Sequence, residues 1–178
     1  MMRTFPIAAL LGCILAGPTF AGDRLPATAS YTVAFSPGHS LTSVVAVIRE
    51  ARETIYVAAY SFSSRSVATE LLNATKRNVQ VFVVADATDA GKGYSATRYL
   101  ANQGVRVRLN GRYAIQHNKF MVIDGATVQT GSLNYTASAA DRNAENVLII
   151  RDAPDLARAY AVEWRRLWDE GTDLAPAY

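Results

Sequence analysis

Cysteine and histidine are scarce in this sequence. Of 178 residues, only Cys13 is a cysteine and only His39 and His117 are histidines. Cys13 lies in an apolar opening stretch that we expect to be removed, so the mature chain would contain no thiol. Such a chain has no disulfide framework, no cysteine nucleophile and no thiolate metal site. Any chemistry must therefore rest on oxygen and nitrogen groups.

The sequence also has little net charge and no low-complexity segment. The chain is 19% charged and 50% hydrophobic, with a formal net charge of +3. These values are typical of a globular protein and exclude a disordered chain or a multi-span membrane protein. No repeat or biased tract is visible. The small positive balance suits a polyanionic partner without demonstrating one.

The first 21 residues have the pattern of an export signal. A short basic start precedes an apolar stretch over 5–17, and small residues end at Ala21. We expect cleavage after Ala21, a periplasmic or secreted location, and a single domain over residues 22–178. A retained anchor is disfavoured because prolines and glycines interrupt the stretch before the roughly 20 apolar residues that it needs. The residues before Cys13 also resemble a lipoprotein cleavage box, an alternative that likewise implies export.

Apolar periodicity predicts an α/β fold. Predicted strands alternate with predicted helices, and this alternation favours a mixed, largely parallel central sheet with helices on both faces. Later in the chain, two apolar runs flank Asp124-Gly125, which is a strong hairpin signal. The predicted strands are 31–35, 54–61, 79–85, 105–109, 117–123, 126–131 and 146–151, and the predicted helices are 41–52, 66–77, 93–103 and one that opens at 152–154.

Polar side chains converge on the predicted hairpin. His117 and Lys119 are two apart, so on a strand they would face the same side. With Asp124-Gly125 as a two-residue turn, Ser132 would lie opposite His117 and Thr130 opposite Lys119. Asn134 would continue this row, whereas Asp124 has the opposite parity. A histidine, a cation and hydrogen-bond donors on one face suit an oxyanion, and phosphate is the first candidate.

These residues also carry a resemblance to a known family. Residues 117–124 (HNKFMVID) fit H-x-K-x₄-D, and residues 131–134 (GSLN) fit G-S-x-N. In this order and spacing the two motifs resemble those of the phospholipase D superfamily, and the mature region is similar to its small Nuc-type bacterial endonucleases. The resemblance implies an α/β fold and phosphodiester cleavage through a phosphohistidine, with no metal or other cofactor.

The resemblance also implies a role for each motif residue. His117 would be the nucleophile or the acid, while Lys119, Ser132 and Asn134 would hold the phosphate. Glu145 would orient His117. Asp124 belongs to the motif, but its parity and turn position predict a structural task.

A single copy of the motif implies a homodimer. Larger family members carry two copies in one chain, whereas His39 lacks a lysine two residues later and is interpreted as a loop residue. The second half-site would then come from another copy of the chain. We expect a symmetric dimer, two copies of the phospholipase D-like half, with two His117 residues facing each other across the two-fold axis.

The substrate is less constrained than the bond type. Arg106, Arg108 and Arg112 form a predicted basic patch, and no base-reading motif or amphipathic membrane helix is visible. We therefore expect a non-specific endonuclease acting on DNA, or RNA, without stable membrane association. The alternatives are a phospholipid hydrolase or transphosphatidylase, a nucleic-acid-binding module with a vestigial site, and a metal-dependent nuclease using Asp86 and Asp89.

Overall fold

One mixed sheet organises the chain in a computed structural model that describes residues 24–91 and 95–177. Its strand order in that part of the chain is β1-β7-β6-β5-β2-β3-β4-β8. The predicted export signal lies outside the described residues. The strands are β1 (Ser30–Ser36), β2 (Thr54–Ala59), β3 (Gln80–Asp86), β4 (Arg106–Asn110), β5 (Lys119–Ile123), β6 (Thr127–Gly131), β7 (Glu145–Arg151) and β8 (Thr172–Asp173). The helices are α1 (Ser40–Glu50), α2 (Arg65–Lys76), α3 (Ala87–Ala90), α4 (Ala96–Asn102), α5 (Ala137–Asp141) and α6 (Pro154–Asp169).

The predicted α/β class is confirmed, but the expectation of a largely parallel sheet is wrong. Within the described residues, only the β2–β3 and β3–β4 neighbours run parallel. The β5, β6 and β7 strands form an antiparallel meander, β5 pairs antiparallel with β2, and β1 pairs antiparallel with β7. Strand–helix alternation identifies the crossover units, but it does not determine which distant strands become neighbours.

Helices cover both faces of the sheet. Side chains of β2 alternate between the two faces, as a strand requires. Val57 belongs to the core beneath α1 and α2, whereas Ala58 packs with Trp164 of α6 on the other face. The indole of Trp164 donates a hydrogen bond to the Val57 carbonyl at 2.9 Å, so α6 is fixed to the centre of the sheet.

The α6 face is covered only in part. Helix α6 packs against β2, β3, β4, β5 and β6. On the same side, β1 presents Tyr31, Val33 and Phe35 to solvent, with exposures of 75%, 48% and 63%. These three residues form an apolar strip, here called the β1 strip. Within the described residues, no helix is long and apolar enough to cross a membrane.

The hairpin between β5 and β6 contains one more residue than predicted. Asp124 and Gly125 occupy the turn with φ values of 51° and 63°, as the Asp-Gly signal predicts. Ala126 donates a backbone hydrogen bond to Ile123 at 3.2 Å, yet the ladder pairs Ile123 with Thr127. Ala126 is therefore a bulge residue, and it shifts the register by one.

The ends of four strands meet at one edge of the sheet. Strands β2 and β6 end there, and β5 and β7 begin there. Ala59 pairs with Lys119, and the end of β6 at Gly131 lies beside β7. We call this the upper edge. The lower edge is the opposite one, where Thr54 and Asp124 lie.

Candidate active site

Three side chains form a cluster at the upper edge. Lys119 is the first residue of β5, and His117 precedes the strand. Tyr60 follows the end of β2, and its ring centroid lies 4.6 Å from that of the His117 imidazole. The Lys119 Nζ lies 5.1 Å from the Tyr60 ring centroid. It also donates a hydrogen bond to the His117 carbonyl at 2.6 Å. Tyr60 thus contacts both leading residues of the motif.

Lys119 holds its charge in a sheltered position. The residue is 7% exposed, and burial lowers its pKa from 10.5 to about 8, while the nearby Glu145 carboxylate acts to raise it. An inward-pointing ammonium group is costly unless an anion meets it. At neutral pH this site therefore offers a cation that is only partly solvated and suited to bind an oxyanion.

Ser132 and Glu145 are directly joined. The Ser132 hydroxyl donates to Glu145 Oε2 at 2.5 Å and accepts from the Asn146 backbone N–H at 3.0 Å. The Asn143 amide donates to Glu145 Oε1 at 2.9 Å. Among the described residues, no hydrogen bond joins Glu145 to His117. The implied orienting contact is thus not formed within one chain, because His117 lies before the strand and packs against Tyr60.

Gly131 permits the close approach that places Ser132. Its φ is 149°, and an added Cβ would lie 2.2 Å from the Asn146 carbonyl oxygen. Ser132 N–H donates to that same oxygen at 3.1 Å. The Asn134 side-chain oxygen is buried without a hydrogen-bond partner among the described residues.

The predicted cross-strand row is wrong in detail. Thr130 pairs with Phe120 instead of Lys119, so it does not lie opposite the motif lysine. His117 lies outside β5, and the predicted opposition of His117 and Ser132 is not formed as a strand pair. The bulge at Ala126 shifts the register and so separates Thr130 from Lys119. His117 is left out of the ladder because β5 begins only at Lys119.

Asp124 lies at the lower edge, at the far end of β5 from Lys119. Its carboxylate accepts three backbone hydrogen bonds, from Arg52, Glu53 and Thr54, each at 2.9 Å. These bonds join the end of β5 to the start of β2. The geometry supports the structural task that strand parity predicted for this motif residue.

The Asp86 carboxylate accepts backbone hydrogen bonds, one of them from the residue before His117. Its Oδ1 accepts from the N–H groups of Thr88 and Asp89 at 3.0 and 2.9 Å, as a helix N-cap. Its Oδ2 accepts from the Gln116 N–H at 2.8 Å, which fixes the residue before His117. Residues 24–91 and 95–177 contain no group of three or more His, Cys, Asp or Glu side chains that could hold a metal. The contacts of Asp86 therefore favour a positioning role over the metal-ligand alternative.

Two arginines of the predicted patch stack on aromatic rings. The Arg106 guanidinium lies 5.0 Å from the Phe82 ring centroid, and that of Arg108 lies 4.8 Å from the Trp168 ring centroid. Arg108 also pairs with Asp173 at 2.7 Å. Part of the patch is thus occupied by contacts within the chain.

Arg112 and His39 have separate surroundings. Arg112 pairs with Glu170 at 3.7 Å. His39 is exposed at the N-cap position of α1, in the loop after β1. The prediction that His39 is a loop residue is confirmed.

The sequence alone did not identify Tyr60. It ends an apolar strand segment, where an aromatic residue is ordinary core composition. A weak signal was available, because polar residues follow it at once and indicate a strand end. Which residue it would meet was not visible from local pattern.

This chain is similar in sequence to known proteins. Residues 44–168 match the family described as "Cardiolipin synthase, PLD-like domain". The chain therefore belongs to the phospholipase D family. It is 38% identical over 131 residues to a phospholipase D of Rickettsia bellii, covering 73% of this chain and 65% of that protein. It is also 38% identical over 120 residues to the mitochondrial cardiolipin hydrolase of Xenopus laevis, covering 67% and 57% respectively. The matches thus span less than two thirds of these relatives.

Solved structures agree with the fold. A phospholipase D family member, Nuc from Salmonella typhimurium, matches with a TM-score of 0.81 and 35% identity, over 83% of this chain and 99% of that one. NucT from Helicobacter pylori matches with a TM-score of 0.74 and 20% identity, over 82% and 99% of the chains, which shows the shared fold. The family resemblance and the α/β class predicted from the sequence are confirmed.

Proposed function

We propose that this protein is an exported, metal-independent endonuclease that cleaves DNA, or RNA, through a covalent phosphohistidine. The observation that carries the proposal is the cluster at the upper edge. There an exposed imidazole, that of His117, lies beside the sheltered ammonium of Lys119. Ser132 and Asn134 follow β6 at the same edge, and in this proposal both bind the phosphate, Ser132 once its hydroxyl turns away from Glu145.

The mechanism needs two imidazoles. In the proposed reaction, a neutral His117 attacks phosphorus and forms an N–P bond as the bond to the leaving oxygen breaks. The protonated His117 of a second copy donates its proton to that oxygen. The same imidazole then takes a proton from water, whose oxygen attacks phosphorus and breaks the N–P bond. Lys119 stabilises the charge on the remaining phosphate oxygens throughout.

A homodimer supplies the second imidazole in this proposal. One chain provides one motif histidine, and the β1 strip offers an apolar surface that a second copy can cover. The strip ends at the upper edge, because Phe35 pairs with Asn146 and Ser36 pairs with Glu145. A copy that covers the strip is therefore held beside the site.

The surroundings of His117 favour a polyanion as substrate. Its ring packs on that of Tyr60, and the residues joined by hydrogen bonds at the same edge, Ser132, Glu145 and Asn146, are polar. A phospholipid site needs apolar surface for acyl chains. The resemblance to the small Nuc-type endonucleases adds to the same preference.

Phospholipid hydrolysis is the second candidate function. The relatives named phospholipase D and mitochondrial cardiolipin hydrolase favour it. This activity would use the same His117 and Lys119 on a different phosphodiester.

Parallel assays test the proposal. Supercoiled plasmid is incubated with the protein in a large excess of EDTA, beside vesicles of phosphatidylcholine and of cardiolipin. We expect nicking of the plasmid, its loss in His117→Asn, and little release of lipid headgroup. Lipid hydrolysis without nicking would establish the second candidate instead. Activity that EDTA abolishes and magnesium restores would contradict the phosphohistidine mechanism.

Export is a separate part of the proposal. It rests on the pattern of the first 21 residues, and cleavage after Ala21 would place Gly22 at the N-terminus. The intact mass of periplasmic or secreted protein tests it. A lipidated cysteine at the N-terminus would contradict it.

A further inference from the structure

A cavity of about 760 Å³ lies between the start of α2 and α4. Ser63 and Arg65 line it from the α2 side, and Ser95 and Tyr99 line it from the α4 side. Its volume falls in the usual range for ligand pockets, roughly 300–1,000 Å³. His117 and Lys119 do not line it, so the cavity is separate from the reaction centre.

The polypeptide connects the cavity directly to the catalytic cluster. Ser63 follows Tyr60 by three residues, which limits their Cα separation to about 11 Å. The Ser63 N–H donates to the Tyr135 carbonyl at 2.9 Å, and Tyr135 follows Asn134. The loop after β2 therefore joins the cavity to two parts of the site. Anything that extends a few nucleotides from a phosphate bound at His117 can reach it.

The lining of the cavity suits a nucleotide. Arg65 is exposed, and its guanidinium has no hydrogen-bond or ion-pair partner within the described residues. Tyr99 is 48% exposed, so part of its ring is accessible to a ligand. None of the described lining residues is acidic. A free cation and an accessible aromatic ring are the two features with which proteins hold single-stranded nucleic acid, through phosphate contact and base stacking.

We propose that this cavity is a subsite for nucleotides flanking the scissile phosphodiester. Arg65 binds a backbone phosphate, and Tyr99 stacks on a base. The subsite rests on the proposed nuclease function and deepens it, because it makes a nucleic acid strand the extended ligand of the upper edge. Stacking and phosphate contact are indifferent to base identity, so the subsite adds affinity without sequence preference.

Binding measured without cleavage tests Arg65. The full chain carrying His117→Asn is titrated with a fluorescent oligothymidylate of about 15 nucleotides, at several salt concentrations. Adding Arg65→Ala should weaken binding several-fold and reduce the slope of log K against log salt by about 0.7, the loss of one single-strand phosphate contact. The matched control is Arg52→Ala, an exposed arginine at the lower edge whose backbone N–H is kept. It should bind like the parent.

Two substitutions of Tyr99, one that removes the ring and one that keeps it, test the stacking. Tyr99→Ala should weaken binding by about 5- to 100-fold, the usual range for loss of one stacked base, whereas Tyr99→Phe should retain most of the affinity. In the active chain, Tyr99→Ala and Arg65→Ala should lower kcat/KM for the oligonucleotide more than for bis(4-nitrophenyl) phosphate, which is too short to reach the cavity.

The outcomes separate this inference from the proposed function. If Arg65→Ala binds with the same affinity and salt slope as Arg52→Ala, the proposed subsite is contradicted. The nuclease function would still stand if the parent protein cuts plasmid. Equal losses on the oligonucleotide and the small diester would also overturn it, since they would place Arg65 in the reaction centre or the fold. If binding depends on Arg65 but the parent protein cuts no nucleic acid, the result would support a nucleotide-binding site in the cavity and contradict the proposed nuclease function. A chain that binds no oligonucleotide overturns the subsite directly.

Discussion

The ring of Tyr60 packs on the imidazole of His117, with centroids 4.6 Å apart and planes inclined by 55°. The same ring lies beneath the Lys119 ammonium. The side chain of Tyr60, directly after β2, therefore supports two groups that belong to β5 and the loop before it. A nucleophile must be held in one orientation to attack efficiently, so this contact has consequences for the reaction.

Replacement of Tyr60 by leucine should lower kcat/KM for bis(4-nitrophenyl) phosphate by about 10-fold. The lost aromatic and cation–π contacts are worth about 0.5–1.5 kcal/mol each. Tyr60→Phe keeps the ring and should stay within about 3-fold of the parent. Steady-state kinetics measures both, with thermal unfolding as the control for folding. A Tyr60→Phe variant as slow as Tyr60→Leu would instead assign the role to the phenol hydroxyl.

The activity should fall on the alkaline side as Lys119 loses its proton. Its pKa is lowered to about 8, so the ammonium is present below that pH and is lost as the pH rises through it. Glu145 acts to raise this pKa, and Glu145→Gln should therefore move the alkaline limb of the kcat/KM profile to lower pH. The position of the limb, rather than its height, is the measured quantity. A limb that stays in place would show that another group titrates there.

Asp124→Asn should destabilise the protein without abolishing chemistry. The carboxylate accepts three backbone hydrogen bonds, and an amide cannot accept all of them with the same strength. We expect a loss of about 2 kcal/mol in the free energy of unfolding, measured with urea. Asp169→Asn, at the exposed end of α6, is the matched control and should be nearly neutral. If the fully folded Asp124→Asn protein is as inactive as His117→Asn, the structural role is wrong.

Mixed dimers should show whether two chains share one centre. A heterodimer of the parent with His117→Asn would have a nucleophile or an acid but not both. When the two chains are refolded together, activity should follow the square of the parent fraction, about a quarter of the parent rate at equal mixing. Independent sites would give about a half. A linear dependence would require another acid in place of the second histidine.

The hairpin separates what local sequence determines from what it does not. Asp124 and Gly125 adopt the predicted turn because Asp-Gly readily takes positive φ values at both positions. The extra residue that follows depends on a distant segment, since the Ala126 carbonyl accepts a hydrogen bond from the Ala153 N–H at 2.9 Å. Strand periodicity carries no information about that contact. The predicted register therefore failed by one residue although the turn was right.

The same distinction applies to the site. The motif spacing identified His117 and Lys119, because both belong to one short segment. Tyr60 reaches them only because β2 and β5 become neighbours, and they are far apart in the chain. Glu145 and Ser132 meet for a similar reason, across the β6–β7 pair. Partners that arise from strand order require the assembled sheet.

The anchorage of Asp124 on the chain before β2 has a consequence for how this scaffold can vary in length. The start of β2 and the end of β5 are fixed to each other at the lower edge, and both strands then run to the upper edge. Tyr60 and Lys119 therefore lie side by side only because the two strands have matching lengths from the lower edge to the upper edge. An insertion or deletion of one residue in either strand alone would separate the two side chains and turn one of them to the other face. Coordinated removal of two residues from both strands would keep them together, so the two strands can change length only as a matched pair.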